Sequence, residues 1–103
     1  MSDLILTPEQ EAEAQRIAKA LVEEKLAACV NIVPGIESHY RWQGKIESAP
    51  EFLLLIKTIS AKSSAAIARI RELHSYDLPE AIEINIDGGS AEYLRWIREA
   101  VDG

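Results

Sequence analysis

The sequence is short of cysteine, of basic residues and of long apolar runs, and each shortage removes a class of function. With Cys29 as its sole cysteine, the chain closes no internal disulfide and holds no C-x-x-C pair. A cysteine in such a strand-like context reads as a small buried hydrophobe. Basic residues number 11 against 17 acidic ones, for a net charge of −6, and they cluster on no one face. Such a surface repels phosphate backbones, so no nucleic acid is expected as a partner. The longest apolar run, Phe52 to Ile56, is far below the ~20 residues that span a bilayer, so no membrane partner is expected either. No positively charged start leads into an apolar run, so the expected location is cytoplasmic. Neither G-x-G-x-x-G nor a P-loop occurs, and no activated nucleophile accompanies the carboxylates, so the chain is expected not to be an enzyme and to use no organic cofactor.

What is present is a periodic pattern. At 103 residues, with no low-complexity linker, residues 1–103 read as a single domain with a modest core. A very short strand at 3–6 feeds a helix with Thr7 as cap, Pro8 in the first position and Gln10 completing a capping box. Ala14, Ile17, Ala18, Leu21 and Val22 form its apolar stripe, which ends near Lys25. A β-branched strand at 28–33 is broken or bulged at Pro34-Gly35 and resumes as "IESHYRWQ". Gly44-Lys45 supplies a tight turn, Pro50 marks an edge, and "EFLLLIKT" at 51–58 has the continuous apolar character of a strand buried on both faces.

Ser60 is positioned to cap a second helix, along which Ala66, Ile67, Ile70, Leu73 and His74 recur at helical spacing. Pro79 stops it, and 81–87 alternates as a strand with Ile82, Ile84 and Ile86 on one face. Ser90 caps a last helix carrying Leu94, Ile97 and Val101 on its stripe. The order β-α-β-β-α-β plus α gives an α+β class, the ferredoxin-like βαββαβ sandwich with an extra C-terminal helix and a long β2–β3 hairpin. Both main helices then cover one sheet face. The other face stays bare and apolar, which predicts association with further copies.

The segments "LVEEKLAACVNIVPGIESHYRWQGKIE" (21–47), "LLLIKT" (53–58), "ELHSYDLPEAIEI" (72–84) and "EYLRWI" (92–97) together resemble the CutA family, the divalent-cation tolerance proteins. The resemblance implies a homotrimer like the PII signalling proteins in outline, with the long hairpins exchanging strand contacts. It also implies divalent-metal binding, copper above all, without an established reaction. Two departures from the family pattern stand out. No cysteine precedes the first helix, where Leu6 and Thr7 stand, and Ser75 follows His74 where a proline is usual. Among the cysteines and histidines the family could use as ligands, His74 remains as the candidate metal ligand, supported by a carboxylate from Glu51, Asp77 or Glu80. Its bland alternative is a histidine stabilised by the negative end of a helix dipole.

Tyr40, Arg41 and Trp42 on the outer hairpin are of the types enriched where subunits meet, and are the expected trimer-interface residues. A second functional reading is a PII-like sensor whose intersubunit clefts bind a small anionic metabolite or nucleotide. Its candidate contacts are Lys57, Tyr76 and Glu80, with Arg41 beside them.

Overall fold

The computed structural model describes residues 2–6, 10–74 and 81–102. Its elements are β1 (Ser2–Leu6), α1 (Glu11–Glu23), β2 (Cys29–Trp42), β3 (Lys45–Thr58), a 3-10 turn (Ser60–Lys62), α2 (Ser63–Leu73), β4 (Ala81–Asn85) and α3 (Ala91–Ala100). This is an α+β chain in the element order that the periodicity implied. The strands form one antiparallel sheet in the order β2-β3-β1-β4.

The core lies where α1 and α2 cover the sheet. Ala14, Ile17 and Leu21 of α1, Leu54 and Ile56 of β3, Ala66 and Ile70 of α2, and Ala27 make one buried cluster. In a strand alternate side chains take opposite faces, so Leu53 and Leu55 point away from the helices, where they are half-buried. Strand β3 is therefore sealed on one face and half-covered on the other, not buried on both. Helix α3 lies against β3, and its Ile97 and Val101 are buried outside the main cluster.

Several boundaries differ from the sequence expectation, each for a local reason. Gln10 has extended backbone angles and carries no side-chain capping bond, so α1 begins at Glu11; Thr7 and Pro8 lie outside the described residues. At the other end of α1, Lys25 adopts a left-handed conformation (φ 58). Its N–H donates to the Val22 carbonyl at 3.2 Å, and that of Leu26 to Leu21 at 2.9 Å, which makes a Schellman cap without glycine. The hairpin turn is Gln43-Gly44, one residue earlier than expected. Both residues have positive φ, and Trp42 pairs with Lys45 across them, as a two-residue type I′ loop requires.

Ser60 begins a 3-10 turn instead of capping α2, because Lys62, just before the helix, is already right-handed. Strand β4 stops at Asn85, two residues short of the expected 81–87, at the end of its described pairing with β1. The expected bulge is present as a register shift between Val33 and Ile36. Pro50 lies in the part of β3 paired with β2 alone, an edge where a missing N–H is tolerated. Ser90 caps α3, its Oγ accepting the Tyr93 N–H at 3.3 Å.

Candidate functional site

The end of α2 brings His74 close to titratable groups of other elements. His74 is the residue that leaves the helix: its N–H still donates to the Ile70 carbonyl at 2.8 Å, while its own backbone is extended. That turn sends the imidazole inward. His74 is 8% exposed and its Nε2 is sealed from solvent. Two carboxylates are buried with comparable completeness, Glu13 of α1 at 5% and Glu51 of β3 at 8%. Burial pushes the His74 imidazole below its ordinary range, because the charged form loses its hydration. The fields of Glu13 and Glu51 act in the opposite direction without overcoming it.

Arg16, one turn beyond Glu13 on α1, ties the same corner together. Its Nη2 donates to the Leu73 carbonyl at 2.8 Å and lies 3.9 Å from a Glu13 carboxylate oxygen. A guanidinium there satisfies one of the carbonyls a helix end leaves open and complements the negative pole of its dipole.

Of the expected metal ligands, the structure brings Glu51 into the field of His74. Asp77 and Glu80 lie outside the described residues, as does Tyr76. Glu13 was not anticipated, although the sequence holds its signal: 13, 17 and 21 share one face at i, i+4 and i+8, which puts a carboxylate on the buried stripe. Among the described residues, no three His, Cys, Asp or Glu side chains are placed so that they could hold a metal ion. One chain therefore does not present a complete cation site in the described residues, since high-affinity sites need three or four converging donors.

The other candidates stand apart from this corner. Lys57 lies between the buried Ile56 and Thr58 and so points from the opposite face of β3. Its Nζ donates to Asn31 Oδ1 at 2.6 Å. Cys29, its partner in register, is half-buried and not the buried hydrophobe expected. Tyr76 and Glu80, the companions of Lys57 in the cleft reading, lie outside the described residues. Tyr40, Arg41 and Trp42 are exposed near the tip of the hairpin. Glu37 and His39 pair on the same arm at 3.0 Å.

The sheet face away from α1 and α2 also carries exposed apolar side chains. Ile82 and Ile84 are 49% and 44% exposed, and Val33 is exposed as well. Between the two isoleucines Glu83 points to the helix side, where it accepts a hydrogen bond from Ser63 Oγ at 3.0 Å. The alternation of β4 thus turns its isoleucines outward.

Comparison with known proteins is consistent from family to coordinates. The family model described as CutA1 divalent ion tolerance protein matches residues 4–100. The divalent-cation tolerance protein CutA of Thermus thermophilus is 51% identical over 96 residues, covering 93% of this chain and 92% of its own length. The chloroplastic CutA protein of Arabidopsis thaliana is 46% identical over 96 residues, and this chain spans 52% of its length. Among solved structures, CutA from Xylella fastidiosa superposes with a TM-score of 0.96 at 46% identity, covering 98% of this chain and 97% of that one. The periplasmic divalent cation tolerance protein CutA from Archaeoglobus fulgidus gives 0.94 at 46% identity, covering 99% and 100%.

Proposed function

The chain belongs to the CutA divalent-cation tolerance family, and on that premise we propose that it works as a homotrimer of ferredoxin-like protomers that binds divalent cations without catalysing a reaction. The observation that carries the reading is the family match across residues 4–100. Charge supports it, because a net −6 raises the local concentration of cations. The exposed Ile82, Ile84 and Val33, together with Tyr40 and Trp42 on the arm, support association: a domain of this size gains stability by covering apolar area.

No three donors converge among the described residues of one chain, so the proposed cation site takes further ligands from Asp77 and Glu80 or from a second copy. Copper is the ion this reading favours, since nitrogen and oxygen donors bind Cu²⁺ more tightly than its first-row neighbours. A cytoplasmic location belongs to the same proposal, although the Arabidopsis and Archaeoglobus relatives are named chloroplastic and periplasmic.

The test is native mass spectrometry of protein purified without added metal, followed by isothermal titration with Cu²⁺, Zn²⁺ and Mg²⁺. Three copies taking up Cu²⁺ in a fixed ratio support the reading. A monomer at micromolar concentration that takes up no ion refutes it.

A further inference from the structure

We infer that His74, the one histidine at the end of α2, is not a cation ligand in this chain but the centre of a structural clasp joining α1 and α2, with Glu13 and Arg16 as its positioning residues. The inference concerns the role of one residue within the cation-binding reading and rests on that reading only for the presence of an ion.

Three observations carry it. First, Nε2 of His74 is closed off from solvent in the folded chain, so an ion reaches that nitrogen only if the packing around it opens. Second, the carboxylates that share its surroundings are buried on two other elements, Glu13 on α1 and Glu51 on β3, and the three groups do not converge as a metal site. Buried carboxylates are retained where they are engaged by the protein, and Glu13 and His74 are both engaged. Third, Arg16 binds the carbonyl immediately before His74 while lying 3.9 Å from Glu13, so the same helix that supplies the carboxylate also fixes the backbone from which the imidazole departs.

The experiment compares the whole wild-type protein with His74→Gln and Glu13→Gln. Titration with Cu²⁺ and Zn²⁺ should give affinities within about twofold for wild type and His74→Gln, whereas a ligand with no substitute would cost tenfold or more. The thermal midpoint of His74→Gln should fall by about 5 °C or more, the scale expected when a buried polar contact is lost from a domain of this size. In ¹⁵N spectra, the His74 ring nitrogens should not move when zinc is added, but should move in Glu13→Gln. Stoichiometric zinc-dependent movement of those ring signals, or a tenfold loss of affinity in His74→Gln, would overturn the inference. So would an unchanged midpoint. If His74→Gln does not fold, the wild-type zinc titration followed by ring ¹⁵N decides alone. If wild type binds neither ion, the cation-binding function fails, while the clasp still stands or falls on the denaturation of His74→Gln and the ring shifts of Glu13→Gln.

Discussion

Arg16 and Leu73, 57 residues apart in the chain, meet through a 2.8 Å hydrogen bond from the guanidinium Nη2 to the backbone carbonyl. The bond crosses from the middle of α1 to the last residue of α2, so it joins the two helices at the point where the second one ends. Replacing Arg16 by alanine removes both the bond and a cation at the helix C-terminus. The expected loss is about 1 kcal/mol, since the side chain is largely solvent-exposed. Urea denaturation measures it, and an unchanged midpoint would show that water serves the Leu73 carbonyl equally well.

His74 gives the stability a pH dependence whose sign follows from its environment. Burial holds the folded-state value below the ordinary one of about 6.5 that the unfolded chain retains. Its contribution is therefore present in full above about pH 6.5 and is lost as the pH falls from there through the folded-state value, because the unfolded chain takes up the proton first. Between pH 7.5 and 5.0 the wild-type denaturation midpoint should fall more than that of His74→Gln. Parallel curves for the two proteins would remove His74 from the account.

The hairpin arm and the open sheet face make a paired prediction about association. Trp42→Ala on the arm should shift sedimentation towards smaller species, and Ile84→Lys on β4 should do so more strongly, because a charge cannot be buried in an apolar contact without a partner. Wild-type sedimentation profiles for both variants would place the contact between copies elsewhere.

Gly44 is the position at which the hairpin depends on glycine. Its φ is +80, and a Cβ built there meets no atom within 4 Å, so the cost of a side chain is backbone strain alone. Gly44→Ala should destabilise the protein by about 1 kcal/mol, and Gly44→Asn by distinctly less, since asparagine tolerates the left-handed region. Equal denaturation midpoints for the two variants would contradict that origin.

Much of the fold was legible in local pattern. The stripe through Ala14, Ile17 and Leu21, the break at Pro34-Gly35 and the cap at Ser90 are each decided within a few residues, by helical period, by a missing N–H and by a side-chain oxygen. Boundaries were less legible where two local preferences competed. Lys62 took helical angles before Ser63, which displaced the cap expected of Ser60, and the turn settled on Gln43-Gly44 because a type I′ loop needs two adjacent residues at positive φ.

The order of elements and their amphipathic character were readable in the chain alone, because periodicity records which residues share a face, and the segments at 21–47 and 72–84 carried the family resemblance and marked His74 as the residue to explain. What each face meets was settled by packing between distant elements. The isoleucines of β4 lie on the face away from the helices, while Glu83 lies on the helix side and accepts a hydrogen bond from Ser63. Glu13 and the end of α2 come to one corner because α1 and α2 lie side by side over the sheet, an arrangement set by long-range packing that no window of local sequence encodes.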